Sequence, residues 1–253
     1  MVHTVTHLWR HPIKAIGREA LSFLDLTEGK TVPWDRVWAL RHAAAKVPAG
    51  LTDWALCVNF CIGSKFPQLN AVTAEVDEAA GAVTLRHPSA GVLTVNPDLV
   101  EDAQRLIEWI APFTPENRFP PVSVETVPGR GMTDSPYPSI SICNHASRRA
   151  LSEALGRDLE MERFRANIWF DCDAPFAEFD LVGREIGIGS ARLKVKERIT
   201  RCNATRINPI SGESDADTLG ALESGWSMQE FGVYAVVTKD GQIRPEDTIE
   251  VLS

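Results

Sequence analysis

Ala71-Val72-Thr73-Ala74-Glu75-Val76, Asp77-Glu78-Ala79-Ala80-Gly81 and Ala82-Val83-Thr84-Leu85-Arg86 follow one another and read as strand, turn and strand. Aliphatic and β-branched residues alternate with polar ones on either side of an acidic turn that ends in glycine. The same signature recurs outward from this point. Val2, Thr4 and Thr6 alternate with His3, Val5 and His7, and Thr31-Val32 and Val37-Trp38-Ala39-Leu40 carry β-type residues. Val233-Tyr234-Ala235-Val236-Val237 runs toward Asp240-Gly241, a hairpin signal, and Thr248-Ile249-Glu250-Val251 reads as a last strand.

Three segments read as helices. The first takes Asn96 as N-cap and Pro97 as its first residue, gathers Leu99, Ala103, Leu106, Ile107 and Ile110 on one face, and stops at Pro112. The second runs from Ser147 to Leu155, with Ala150, Leu151, Ala154 and Leu155 inward and Gly156 as its stop. The third spans about Asp217 to Glu223, before Gly225. The expected fold is therefore mainly β with a few helices, arranged as two β-barrel-like domains. Residues 1–112 form the first and residues 133–253 the second. The joint at 113–132 is rich in proline and glycine (Pro115, Pro120, Pro121, Pro128, Gly129, Gly131).

A chain of 253 residues with 44% hydrophobic and 24% charged residues is ordinary for a soluble protein. The net charge of −8 argues against a nucleic-acid partner. No apolar run is long enough for a membrane span; Lys46 and Asp53 interrupt the longest candidate. Five cysteines without a CxxC pair, and an N-terminus without a signal-peptide pattern, suggest reduced thiols and a cytoplasmic setting.

Cys202 stands out among the cysteines. Lys194, Lys196, Arg198, Arg201 and Arg206 surround it in sequence, and nearby cations favour the reactive thiolate. Lys194, Lys196 and Arg198 alternate and share one strand face, which is either a solvated surface or the approach to an anion site. Cys57 and Cys143 lie in apolar runs, Cys61 follows Phe60, and Cys172 lies between Asp171 and Asp173. Cys202 is thus the candidate for chemistry or soft-metal ligation, with a buried thiol at a strand end as the other reading. His3, His7 and His11 are four apart, but β-type neighbours and Pro12 favour a strand that spreads them out. Cys57 and Cys61 are spaced CxxxC without a second pair, too few ligands for zinc. Arg148-Arg149 reads as a solvated helix surface.

These segments together resemble the MOSC family, named for the C-terminal domain of molybdenum cofactor sulfurase. The resemblance rests on Phe164-Arg165-Ala166-Asn167-Ile168, on the run from Arg201-Cys202 through Asn208-Pro209 to Ser211-Gly212, and on Phe231-Gly232-Val233-Tyr234-Ala235. The N-terminal half is similar to the β-barrel that precedes this domain in the mitochondrial amidoxime-reducing component and its bacterial relatives. There the marks are His11-Pro12-Ile13-Lys14 and Trp34-Asp35-Arg36-Val37-Trp38.

The resemblance implies a molybdenum cofactor of the molybdopterin type. Cys202 would be the metal ligand, Arg201 would stand beside the metal, and Lys14, Arg36, Ser147, Arg165 and Asn167 would hold the cofactor. Four positions depart from the family pattern: Ala15 replaces serine, Ala166 replaces proline, Lys65 stands in Gly63-Ser64-Lys65-Phe66-Pro67 where the family has Thr-x-Arg, and Glu246-Asp247 replaces Gly-Asp. No pyridoxal-phosphate domain or Fe–S cluster is expected in this chain. The expected activity is reduction of N-hydroxylated or related N–O or S–O small molecules. The electrons would come from a separate ferredoxin- or flavin-type protein. The alternative is a cofactor or persulfide carrier that works with a cofactor-biosynthesis protein.

Overall fold

The chain is described by a computed structural model covering residues 3–252, so the expected strand start at Val2 lies outside the described residues. The opening motif forms as read. Strands β1 (Thr4–Arg10), β2 (Glu19–Leu21), β3 (Leu24–Leu26) and β4 (Trp38–His42) come first, followed by β5 (Thr73–Asp77), β6 (Ala82–His87) and β7 (Gly91–Val95). β5 pairs with β6 from Thr73 opposite Arg86 to Asp77 opposite Ala82, and β6 pairs in turn with β7. Thr31-Val32 lies in a turn and not in a strand.

The rest of the chain adds α1 (Val100–Ile110), β8 (Pro121–Thr126), β9 (Ile140–Asn144), α2 (His145–Leu155) and β10 (Ile168–Asp171). It ends with β11 (Glu185–Ile188), β12 (Ala191–Thr200), α3 (Thr218–Trp226), β13 (Glu230–Lys239), β14 (Gly241–Ile243) and β15 (Ile249–Val251). The fold is mostly β, built on a curled eight-stranded sheet in the order β15-β11-β12-β13-β9-β10-β1-β2.

Two main cores divide the molecule. One lies on one face of the large sheet and includes Val5, Leu8, Ile142, Phe170, Leu193 and Val233. The other, with Ile13, Trp38, Leu69, Leu85, Leu106 and Ile110, fills the N-terminal unit. The opposite face of the large sheet is covered by α2 and α3 through Cys143, Leu151, Phe164, Trp169, Leu222 and Phe231. Alternation along β9 sends Ile142 to one side and Cys143 to the other.

Chain order and packing do not coincide. β1 and β2 extend the C-terminal sheet, β1 antiparallel to β10, and β3 pairs with β14. The segment expected as a joint carries β8, which pairs with β4, and Pro121 is tolerated there as the first residue of a strand in a two-stranded ribbon.

The helices also differ in detail. The Asn96 side chain accepts the Asp98 N–H at 3.1 Å and the Leu99 N–H reaches the Asn96 carbonyl at 3.0 Å, so Pro97 sits in a turn and α1 starts at Val100. Leu99 is exposed; Leu106 and Ile110 make the buried contact. α2 starts at His145, two residues early, because Asn144 caps it by accepting the Ala146 N–H at 2.9 Å. α3 passes through Gly225 and ends at Trp226.

Asp240-Gly241 does not close a hairpin between adjacent strands. β13 ends at Lys239 and β14 crosses to β3. Gly241 is required by a close approach, since a Cβ there would lie 2.3 Å from both the Ala191 nitrogen and the Ser190 carbonyl carbon. Gly241→Ala is expected to destabilise the fold by about 1–3 kcal/mol in urea unfolding, because backbone has to move to admit the methyl. An unchanged midpoint would mean the crossing adapts freely.

Candidate active site

A cavity of about 250 Å³ lies where the two units meet. The first unit contributes Lys14, Ala15, Arg36, Cys57 and the Ile62-Gly63-Ser64 turn. The second contributes Asp134, Ser141, Arg163-Phe164-Arg165, Ile199-Thr200-Arg201-Cys202 and Tyr234. Lys14, Arg36, Arg165, Arg201 and Cys202, all singled out in the sequence, are thus brought into one place.

Local chemistry fixes each cation. The His11–Lys14 and Trp34–Trp38 segments run side by side: the Lys14 N–H donates to the Trp38 carbonyl and the Arg36 N–H to the His11 carbonyl, both at 2.7 Å. Lys14 Nζ, almost fully buried, donates to the Met132 carbonyl at 2.9 Å and meets the Asp134 carboxylate. Arg36 pairs through Nη1 with Asp35 and donates through Nη2 to the Arg165 carbonyl at 3.1 Å. Ala15, Arg36 and Arg165 hold φ of 66°, 55° and 47°, a left-handed conformation uncommon outside glycine, and all three line the cavity.

Arg201 is clamped. Its Nε donates to the Phe231 carbonyl and its Nη1 to the Phe164 carbonyl, both at 2.7 Å, and Nη2 reaches Cys143 Sγ at 3.2 Å. The stacked Phe164 and Phe231 rings flank its guanidinium at 5.6 and 5.8 Å. Gly232 makes room, since a Cβ there would stand 2.5 Å from Cys143 Sγ.

Arg165 is incompletely paired. Its Nη2 is buried without a hydrogen-bond partner. Burial first, then the adjacent Arg36 charge, pulls its pKa down to about 9. Both features describe a guanidinium that an anion would stabilise. Enclosure opposes the ionisation of Asp134, but Lys14, then Arg36 and Arg165, hold it below the ordinary carboxylate range.

Cys202 is exposed, just past the end of β12, and the other cysteines differ from it. Burial pushes Cys61 and Cys143 up to about 12. Among the described residues no three His, Cys, Asp or Glu side chains are grouped to hold a metal. His3 packs on Phe170, His7 meets His145, and His11 is buried against Asp35. A metal in this cavity would therefore bring most of its ligands with it.

Two expected cofactor holders stand elsewhere. Ser147 is fully buried in the first turn of α2, where its Oγ donates to Glu178 at 2.8–2.9 Å and accepts the Phe176 N–H at 2.8 Å. The early start of α2 turns it inward, and it does not line the cavity. Asn167 lies behind the cavity wall: its Nδ2 donates to Asp35 at 3.0 Å and its Oδ1 accepts from the Ser141 N–H and hydroxyl. It braces Asp35 and Ser141 and has no edge left for a ligand.

The basic run on β12 follows the solvated-surface reading. Lys194, Lys196 and Arg198 are absent from the cavity wall, Arg198 lies 4.3 Å over the Phe179 ring, and Arg206 pairs with Asp217. The cations near Cys202 are its neighbour Arg201 and those of three distant segments, Lys14, Arg36 and Arg163 with Arg165. The sequence reading missed Cys57, Asp134, Arg163 and Tyr234. Arg163 was detectable as the partner of Arg165 across Phe164. Cys57 was hidden by Leu56 and Val58, which look core-like but are exposed.

Two buried histidines set an acid limit. Burial first, then Arg165, holds His11 down at about 3; burial, then Arg148 and His7, holds His145 at about 4. Below their ordinary value of 6.5 the unfolded chain binds protons that the folded chain refuses, so stability falls with pH. Each contributes up to roughly 1 kcal/mol per pH unit. Urea midpoints are expected to drop between pH 7 and pH 4.5 and to drop less in His145→Gln; a flat profile would contradict the burial of these rings. Asp35, held low by Arg36 against its burial, adds its loss only at more acid pH.

The fold and cavity define a two-unit β protein whose cavity is lined by thiols and cationic side chains. Residues 2–109 match the MOSC N-terminal beta barrel domain and residues 132–250 match the MOSC domain; the chain is a MOSC-domain protein. It is 32% identical to the molybdenum cofactor sulfurase of Drosophila willistoni over 108 residues, 42% of this chain and 13% of that protein. The corresponding protein of Caenorhabditis briggsae is 30% identical over 107 residues, 41% of this chain and 14% of that one. The chain thus matches only about an eighth to a seventh of the length of these relatives. Among solved structures, the YUAD protein of Bacillus subtilis aligns over 99% of this chain and 96% of its own at 12% identity and a TM-score of 0.47. YiiM from Geobacillus stearothermophilus covers 45% of this chain and 54% of its own, at 16% identity and a TM-score of 0.36. No described helix is long and apolar enough to cross a membrane.

Proposed function

We propose that this chain binds the molybdenum cofactor in the cavity, with Cys202 as the protein's ligand to the metal. In this reading it is an oxidoreductase that reduces N-hydroxylated or related N–O or S–O small molecules with electrons from a separate protein. The observation that carries the reading is the meeting of Cys202 with Lys14, Arg36, Arg165 and Arg201 in one cavity.

The residues fit such a group. An exposed thiol without a surrounding ligand cluster suits a soft metal that arrives already coordinated. The partnerless Arg165 Nη2 and the Arg36 fork suit a phosphate. When bound, the cofactor would supply a two-electron centre able to take oxygen from the substrate. The chain's own part is positional. Asp35 and Asp134 hold Arg36 and Lys14 in place before any ligand arrives, and the Phe164 and Phe231 carbonyls fix Arg201 beside the thiol.

A second reading is favoured by the name of the relatives, molybdenum cofactor sulfurase: a carrier of the cofactor, or of persulfide sulfur on Cys202, without turnover. The test is metal and released pterin in protein from a cofactor-producing host, then reduction of an N-hydroxylated amidine with an artificial electron donor. Near-stoichiometric metal with turnover is expected. Metal without turnover would leave the carrier, and protein free of both metal and pterin would remove the cofactor reading.

A further inference from the structure

The cavity holds a second thiol. Cys57 lines it from the first unit and Cys202 from the second. Cys57 starts a one-turn 3-10 segment, Cys57–Asn59, in the stretch between β4 and β5 that contains no strand. That turn is held through Asn59 and through the Val58 carbonyl, which lies 2.7 Å from His42 Nε2. Asn59 is buried, its Oδ1 accepting the Lys46 N–H at 2.9 Å and its Nδ2 donating to the Leu56 carbonyl at 3.0 Å, while Leu56 and Val58 point to solvent. Cys57 itself is half-buried. Burial pushes its thiol up, and it shares the lining of a cavity of about 250 Å³ with Cys202. The other three cysteines are buried elsewhere.

We infer that Cys57 is a resolving thiol for Cys202, and that a glutathione-class disulfide converts the pair to an intramolecular disulfide across the cavity. Cys202, the exposed thiol, meets the oxidant first. Its thiolate attacks one sulfur of the glutathione disulfide; a Cys202–glutathione bond forms and one glutathione thiolate leaves. The Cys57 sulfur then attacks the Cys202 sulfur of this mixed disulfide, and the second glutathione leaves. The protons of the two cysteine thiols end on the two glutathiones. Two cysteines are oxidised and one glutathione disulfide is reduced. Disulfide bonding requires close Cα atoms, so the bond forms only if the 3-10 turn around Cys57 and the Cys202 segment come together across the cavity. The product ties the two units together and removes Cys202 from service as a nucleophile or ligand. This chemistry needs no bound metal, so it and the cofactor reading fail separately.

The full chain, purified and reduced from a host without the cofactor, is treated with glutathione disulfide, denatured, alkylated and mapped by mass spectrometry. The wild type is expected to lose two alkylatable thiols, to yield a Cys57–Cys202 cross-linked peptide and to carry no glutathione. Cys57→Ser is expected to accumulate one glutathione on Cys202, and Cys202→Ser to leave Cys57 alkylatable. Should Cys57→Ser fail to fold, Cys57→Ala takes its place. Stable glutathione on Cys202 of the wild type, or a Cys57 that stays fully alkylatable while Cys202 is oxidised, would overturn the inference. So would a Cys202 that does not react.

Discussion

Cys202→Ala protein from a cofactor-producing host is expected to carry less than about a tenth of the wild-type molybdenum, while its urea midpoint stays within about 0.5 kcal/mol of wild type. Both halves follow from where the residue sits. Its side chain is exposed and packs in no core, so truncation opens no void. Its backbone duties survive: the Cys202 carbonyl accepts the Thr205 N–H at 3.2 Å and the Thr205 hydroxyl at 3.1 Å, and alanine keeps that carbonyl. What is lost is the accessible sulfur. Metal analysis and released pterin on equal amounts of folded protein decide the matter. Undiminished metal in the variant would show that the cations alone hold the cofactor.

Asp35→Ala is expected to cost about 3–5 kcal/mol, the penalty for leaving a buried charge without its partner. Asp35 is almost wholly buried and serves several groups at once. It accepts the His11 N–H at 2.7 Å and Asn167 Nδ2 at 3.0 Å, pairs with Arg36, and stands 3.3 Å from His11 Nδ1. Alanine leaves two buried donors and the Arg36 guanidinium unmet. Asp35→Asn keeps an acceptor but not the charge and is expected to fall between. Chemical denaturation reads the loss, and a cost below about 1 kcal/mol would mean that water replaces the carboxylate without strain. The cavity should suffer too, because Arg36 would no longer be held toward it.

Local alternation was legible in the sequence. The β5–β6 hairpin follows from residues that touch their own neighbours. Pairings between distant segments were not legible: nothing in Thr4–Arg10 says that its partner is Ile168–Asp171. The site divides the same way. Arg201-Cys202 and the Arg165 segment could be read locally and lie in the cavity. Lys194, Lys196 and Arg198 leave two readings open, because alternation defines a shared face without saying whether it looks to ligand or to solvent; the face is solvated. Ser147 stands apart from the cavity: α2 begins at His145, and the Ser147 side chain meets Glu178. Cys57 was set aside because its apolar neighbours looked like core, whereas a 3-10 turn presents them outward.

The pairing of β1 with β10 also bears on how the molecule is made. Leu8 lies opposite Ile168, so β1 meets this partner only 160 residues further along the chain. At roughly 5–20 residues per second the ribosome takes on the order of ten seconds to bridge that gap. Throughout it Leu8 can pair only with Leu21 of β2. The large sheet can therefore close only after β10 has been made, and the cavity, walled by both units, only after Tyr234 has followed.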